Sequence, residues 1–133
     1  SELLVGEQLS EDMIRSGGAL LLALDKLNVI TKAAFWLLSP GERTWRYVLV
    51  SPEVRTVGPK ALYRKVTTAS KRLPADVKHL PTTDVAALDD RAELYMLLRT
   101  AIATGPTGVN GIRFTQNVIN GHKIDDAYIY RMT

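Results

Sequence analysis

The chain has 133 residues, of which 46% are hydrophobic and 23% are charged, and these values are typical of one folded domain rather than a disordered segment. It contains no cysteine, which excludes disulfides, thiolate catalysis, zinc fingers and iron–sulfur clusters. No signal peptide is visible at Ser1 to Leu4, and no stretch reaches the roughly 18 to 20 apolar residues that span a bilayer. We therefore expect one cytoplasmic domain over residues 1–133, with no membrane contact.

The net charge of +3 is distributed unevenly along the chain. Residues 43–78 hold nine lysines and arginines against two acids, Glu53 and Asp76, so the other residues hold eight of the 17 basic residues and twelve of the 14 acids. This distribution favours either an anionic partner or self-association through complementary charges.

The first predicted element is a helix that Ser10 caps and Asn28 ends. Its apolar stripe consists of Met13, Gly17, Leu20, Leu24 and Leu27. Gly17 and Gly18 in mid-helix cost roughly 1 kcal/mol each relative to alanine, so they predict either close packing of another backbone or a break in the helix. Leu22 points away from the stripe and indicates a second contact.

Residues 30–38 and 45–50 are predicted to form a pair of strands, because turn residues at 40–43 separate them. Both runs are apolar on both faces, so we expect these strands to lie centrally in the sheet or to be covered on both sides.

A second helix is predicted to begin at Gly58-Pro59 and to end at Pro74. Its buried stripe is predicted to be Leu62, Val66, Ala69 and Leu73. Residues 85–88 can form a short strand, and Asp89 is predicted to cap a third helix that continues through Ala103.

Asn120-Gly121 predicts a tight hairpin turn near the end of the sequence. The register that follows pairs Ile119 with His122 and, at the far end, Ile112 with Ile129. The element order α-β-β-α-(β)-α-β-β therefore predicts an α+β domain with three helices on one face of an antiparallel or mixed sheet of four to five strands.

A set of basic residues in and beside the second helix is a candidate site for nucleic acid or another anion. The set is Arg55, Lys60, Arg64, Lys65, Lys71, Arg72 and Lys78. Lys60, Arg64 and Lys71 align on one helix face, and such a stripe can follow a phosphate backbone. The alternative is an ordinary solvated face, since no nucleic-acid-binding motif accompanies the stripe.

One face of the predicted hairpin carries polar side chains that include the weak catalytic candidates His122, Asp126 and Arg113. The complete face is Arg113, Thr115, Asn117, His122, Asp126 and Tyr128. In the predicted register, His122 and Asp126 are separated by about 13 Å of strand, so they cannot hydrogen-bond directly. The alternative is a solvent-facing polar surface.

No metal site or cofactor is predicted. His79 and His122 match no ligand spacing, and the carboxylates of Asp125 and Asp126 point to opposite faces of a strand. The glycine-rich stretch at 104–111 lacks the lysine and the following helix of a phosphate-binding loop, so it is interpreted as a connection from helix to strand.

Five apolar or aromatic residues are candidates for a protein interface: Leu22, Trp36, Trp45, Tyr128 and Tyr130. The leading hypothesis is a small binding or accessory module that has no catalytic signature and acts through protein–protein contacts, with a homodimer as one form of such contact. The alternative is a nucleic-acid-associated protein that uses residues 55–78. The second alternative is an enzyme whose site lies on the C-terminal hairpin face.

Overall fold

The computed structural model describes residues 8–39, 41 and 43–133. The helices are α1 (Glu11–Lys26), α2 (Glu53–Thr56), α3 (Pro59–Lys71) and α4 (Glu93–Leu98). The strands are β1 (Ala33–Ser39), β2 (Thr44–Val50), β3 (Val85–Leu88), β4 (Ile112–Ile119) and β5 (His122–Met132).

These strands form one five-stranded mixed sheet in the order β3-β2-β1-β5-β4. Neighbouring strands are antiparallel except β2 and β3, which are parallel because α3 crosses between them. The chain is therefore a single small α+β domain, as predicted. The short helix α2 is an addition that the sequence pattern did not predict.

Helices cover both faces of the sheet, so the prediction that they share one face is wrong. α1 and α3 pack on the face that contains Trp36 and Tyr47. α4 packs on the opposite face, against Phe35 and Val48. The prediction that both central strands are covered on both sides is confirmed, because β1 and β2 contribute side chains to both cores.

The predicted strand runs are close to the observed strands. β1 begins at Ala33, three residues later than predicted, and β2 begins at Thr44. Of the turn predicted at 40–43, Pro40 and Glu42 lie outside the described residues. The predicted short strand at 85–88 forms β3.

α1 begins and ends where its sequence predicts. The Ser10 hydroxyl accepts a hydrogen bond of 3.2 Å from the Met13 N–H, which caps the helix. Beyond the other end, Asn28 adopts a φ of 61°, the left-handed conformation that stops a helix.

α4 is much shorter than the third helix predicted over residues 89–103. It starts at Glu93, after Ala92 in an extended conformation, and it ends at Leu98. Asp89 does not cap it, because its carboxylate binds the Arg55 guanidinium at 2.5 Å. The prediction of Asp89 as the cap is therefore wrong, since an ion pair with a residue 34 positions away holds it outside the helix.

The hairpin β4–β5 has the predicted register, from Ile119 opposite His122 to Ile112 opposite Ile129. However, the side chains of the hairpin do not alternate regularly between the two faces of the sheet. Gln116 has a φ of 50°, and the ladder has no pair at this residue. Beyond it, Ile119 and Ile124 turn into the core under α4, on the same side as Ile129.

A bulge in β5 brings two large polar side chains to the α1 side of the sheet. Ile129 pairs with Phe35 and Arg131 with Ala34, so Tyr130 is an extra residue. Arg131 is only 2% exposed, and its guanidinium binds both carboxylate oxygens of Asp25 in α1, at 2.9 and 2.8 Å. This pair, in which Arg131 is buried and Asp25 is partly exposed, joins the last strand to the first helix.

Candidate nucleic-acid interface

The outer face of α3 carries the stripe of basic side chains that the sequence predicts. Leu62, Val66 and Ala69 are fully buried against the sheet and α1, as expected. Residues on the opposite side of a helix must then face solvent, and Lys60 and Arg64 are exposed, as is Lys71, the last residue of the helix.

Arg55 is held in an ion pair, so it is not available to an external anion. Its Nη1 lies 2.5 Å from Asp89 Oδ1 and 2.9 Å from Asp90 Oδ1. The hydrogen bond from Arg55 is the main cause that lowers the pKa of Asp90, with a second contribution from Asp89. The same pairs raise the pKa of the Arg55 guanidinium.

Lys65 is likewise engaged, with the buried carboxylate of Glu53 at 2.7 Å. Glu53 is 6% exposed, and its other oxygen accepts a hydrogen bond of 2.8 Å from the Ile30 N–H. Burial alone would raise the pKa of Glu53, but the Lys65 ammonium and the Ile30 N–H together lower it below its ordinary value. Lys65 therefore has a structural role that links α3 to the segment before β1.

The remaining cations of the predicted set are all exposed, and we refer to Lys60, Arg64, Lys71, Arg72 and Lys78 together as the exposed basic surface. None of them pairs with a carboxylate in the described part of the chain. Asp76, the other acid of the basic segment, binds Arg15 in α1 at 3.0 Å. Both acids between residues 43 and 78 are thus engaged with other cations.

A shallow groove runs beside this basic surface, between α3 and the turn at Thr82 and Thr83. It has a volume of about 370 Å³ and is also lined by Tyr63 and Thr67. The Tyr63 hydroxyl donates to the Val85 carbonyl at 3.2 Å and accepts from the Ala87 N–H at 2.9 Å, so it fixes α3 on β3. The sequence gives no signal for this groove, because the crossover brings the threonines to the helix.

The polar hairpin face predicted as a weak catalytic set is divided by the irregularity at Gln116. Arg113 binds Asp126 through two hydrogen bonds of 2.6 Å and lies over the Trp45 ring on the α1 side of the sheet. His122 instead lines a cavity beside α4. The structure therefore brings Arg113 and Asp126 together but does not bring His122 to them.

The three remaining residues of that face are also placed by the structure. Thr115 and Asn117 are exposed, and the Asn117 side chain donates to the Thr115 carbonyl at 2.7 Å. Tyr128 is half-buried and stacks edge-on against Tyr130 at 5.3 Å.

Most of the predicted interface residues lie in the core of the chain itself. Trp36, Trp45 and Tyr130 are buried on the α1 side of the sheet. Leu22 is different, because it is 46% exposed and lies in a small groove. That groove has a volume of about 210 Å³ and is lined by Ala19, Leu22, Ala23, Lys26, Arg72, Leu73 and Pro74.

Within the described residues, no three carboxylate, histidine or cysteine side chains come close enough to hold a metal ion. None of the described helices has the length and hydropathy needed to cross a membrane.

Arg131 and Asp25 form the main charged pair that the sequence analysis did not identify. Their separation of 106 residues leaves no local signal, and the bulge at Tyr130 turns Arg131 inward. The alternation of a regular strand would have assigned Arg131 to the other face.

No protein-family model, curated protein or solved structure matches this chain.

Proposed function

We propose that the protein binds the phosphate backbone of nucleic acid through the exposed basic surface in and after α3, without reading the base sequence. The observation that carries this proposal is the set of five exposed cations that no described carboxylate neutralises. Contacts from lysine and arginine to phosphate release counterions, and they supply nearly all of the affinity in sequence-independent binding.

The spacing of the stripe supports contacts to several phosphates at once. With a rise of 1.5 Å per residue, Arg64 lies about 6 Å and Lys71 about 16 Å along the helix from Lys60. The hydroxyls of Thr82 and Thr83 border the groove beside them and can donate hydrogen bonds to phosphate oxygens.

The chemistry of the surface favours backbone contacts over base stacking. Among the described residues that line the groove, Tyr63 is the one aromatic residue, and both of its hydroxyl hydrogen bonds are made within the protein. Single-strand-binding proteins depend on aromatic platforms, which this surface lacks among its described residues. We therefore expect duplex to bind at least as tightly as single strand. We also propose that the protein binds this ligand in the cytoplasm.

The test is fluorescence anisotropy with a labelled 20-base-pair duplex and the matching single strand, each titrated at several salt concentrations. If Lys60, Arg64 and Lys71 each contact one phosphate, log K falls with log salt at a slope of about −2.7. The variant Lys60→Glu/Arg64→Glu/Lys71→Glu is expected to lose that slope and at least about tenfold of the affinity at low salt.

A control of equal charge change is Arg91→Glu/Arg99→Glu/Lys123→Glu, on the α4 side of the sheet. It should weaken binding only by the general loss of positive charge, and much less than the α3 variant. Equal losses in the two triple variants would mean that net charge alone attracts the oligonucleotide. Absence of binding to either strand form at low salt would overturn the proposal.

A second candidate function is protein–protein contact, which is the leading hypothesis from the sequence, and we assign it here to the groove that Leu22 lines. Its apolar floor is bordered by Lys26 and Arg72, so charge complementarity favours an acidic, amphipathic segment of the partner. A two-fold contact between copies would instead bring these cations together, which disfavours a homodimer at this groove.

Sedimentation velocity and a peptide titration test this second candidate. An amphipathic peptide with leucines on one face and glutamates on the other is expected to shift the amide resonances of α1 around Leu22, and Leu22→Glu is expected to abolish the shifts. The same peptide with lysine in place of glutamate is the control. A dimer that Leu22→Glu dissociates would contradict an acidic partner and support the homodimer.

A further inference from the structure

A cavity of about 320 Å³ lies beside α4, on the side of the sheet opposite the basic surface. The aliphatic residues that line it come from three elements that are far apart in sequence: Leu37, Leu38, Leu94, Leu97 and Ile124. Leu37, Leu94 and Leu97 pack on the core of this side and are only half-buried, so their apolar surface remains open to the cavity. Leu38 lies at the edge of the cavity near the end of β1, and its side chain packs on the core of the α1 side.

The rim of this cavity carries charge. Glu93, His122, Lys123 and Asp125 border the apolar walls. Lys123 Nζ lies 3.7 Å from Asp125 Oδ1, which is longer than a hydrogen bond, so this pair is loose. Glu93 has no ion-pair partner in the described part of the chain, so two carboxylates face one ammonium group.

An apolar concavity with a few polar groups at its mouth is the usual form of a small-molecule site. Its volume is at the lower end of the range for such sites, and it corresponds to about ten water-sized groups at roughly 30 Å³ each. The excess of carboxylate at the rim favours a cationic head group over an anionic one.

We propose that the cavity between α4, β1 and the tip of the β4–β5 hairpin binds a small aliphatic or arylalkyl amine of about ten non-hydrogen atoms. The apolar part of the ligand lies against Leu37, Leu94, Leu97 and Ile124, and its ammonium group lies at Glu93 and Asp125. This inference is independent of the nucleic-acid proposal, because it uses other residues on the other face of the sheet.

The test uses n-alkylammonium ions of four to eight carbons, with n-alkanoates and n-alkanols of the same lengths as matched probes. Binding is followed by amide chemical shifts in the ¹H–¹⁵N spectrum of the whole chain. We expect shifts at Glu93–Leu98 and His122–Asp125, and about fourfold tighter binding for each added methylene that becomes buried. The ammonium ion is expected to bind roughly tenfold more tightly than the alkanoate of equal length.

Two variants separate the charge of the rim from the apolar walls. Glu93→Gln is expected to reduce the preference for ammonium over alkanoate severalfold while the alkanol binds as before. Leu94→Phe is expected to fill the cavity and to weaken all three probes. Glu11→Gln, which removes an exposed carboxylate from the first turn of α1, is the control and should change neither result.

Four outcomes would overturn the proposal: alkanoates that bind as tightly as ammonium ions, affinity that does not depend on chain length, shifts that map to another part of the protein, or no binding at low millimolar concentration. If Leu94→Phe disturbs the whole spectrum, the Glu93→Gln result alone decides whether the proposal holds. The Glu93 side chain is exposed, so it can be changed without loss of packing.

Discussion

The two faces of the sheet are packed in different ways, although the same strands supply both. On the α1 side, aromatic side chains are hydrogen-bonded to the main chain of the helix. Tyr47 donates to the Gly17 carbonyl at 2.9 Å, and Tyr130 donates to the Ile14 carbonyl at 2.6 Å while it accepts from Trp36 Nε1 at 3.1 Å. Burial raises the pKa of both tyrosines, so they stay protonated as donors.

On the α4 side, the contacts are aliphatic and the cover is incomplete. α4 has 6 residues, against 16 in α1 and 13 in α3, so it covers only part of the sheet. Leu94 and Leu97 pack on Phe35 and its neighbours but stay half-buried beside an open cavity. The comparison indicates that the α1 side supplies most of the stability and that the α4 side has room for a ligand.

The largest expected effect comes from matched truncation of one leucine on each side. Leu24→Ala in α1 removes a fully buried side chain and should lower the free energy of unfolding by about 3 kcal/mol. Leu97→Ala in α4 should lower it by about 1 kcal/mol or less, because the side chain is half-exposed and borders an existing cavity. Urea unfolding followed by circular dichroism measures both. Equal losses would contradict the proposed difference between the sides.

A smaller effect is expected from a methyl group placed between α1 and the aromatic residues. A Cβ at Gly17 would lie 2.7 Å from Trp36 Nε1 and would also meet the Tyr130 hydroxyl, so Gly17→Ala should destabilise the fold by about 2 kcal/mol. Gly18→Ala is the control, because its nearest contact is Val109 Cγ1 at 3.4 Å and alanine favours the helix.

Thermal unfolding of the two alanine variants measures this difference. Gly18→Ala is expected to be neutral or slightly stabilising. If Gly17→Ala were equally neutral, the aromatic network would not require the close approach that the structure shows.

The fold was predictable where local signals act alone. Ser10 and Asn28 mark the two ends of α1, Pro59 begins α3, and Asn120-Gly121 sets the register of the hairpin. Each of these signals depends on a few neighbouring residues, so no tertiary contact has to be known. At Gly17, where close packing of another backbone or a break in the helix was predicted, α1 is continuous and side chains make the close approach instead.

The errors arise where a distant residue changes a local preference. Asp89 is a good helix cap by sequence, but Arg55 binds it from 34 residues away and α4 starts later. Glutamine rarely adopts a positive φ, but Gln116 does so here. The resulting split of the polar hairpin residues between the two faces of the sheet could therefore not be predicted from strand alternation.

For the candidate nucleic-acid site, the alignment of basic residues on one helix face was predictable, but the set of cations that stay available to a ligand was not. The spacing of Lys60, Arg64 and Lys71 follows from the helix period alone. Which cations remain unpaired depends on ion pairs across the fold, such as Arg55 with Asp89 and Lys65 with Glu53. The grooves beside the stripe and beside α4 depend on where the connections run, which the sequence does not specify.

The smallest expected effect compares one ion pair on each side of the sheet as a function of pH. Glu53 and Lys65 form a partly buried pair at 2.7 Å on the α3 side, whereas Asp125 and Lys123 form a loose pair at 3.7 Å on the α4 side. Glu53→Gln should lower the free energy of unfolding at pH 7 by about 1 to 2 kcal/mol. Asp125→Asn should change it by less than about 0.5 kcal/mol.

The effect of Glu53→Gln should depend on pH because the folded state holds the pKa of Glu53 below its ordinary value of 4.5. The folded state therefore gains stability from the ionised carboxylate at pH values above 4.5, and that gain is lost as the pH falls through the lowered pKa. Urea midpoints of both variants and the parent chain, measured at pH 7 and pH 3, give the difference. The Glu53→Gln deficit should shrink at pH 3, and a deficit of the same size at both pH values would mean that Glu53 acts through packing or neutral hydrogen bonds rather than through its charge.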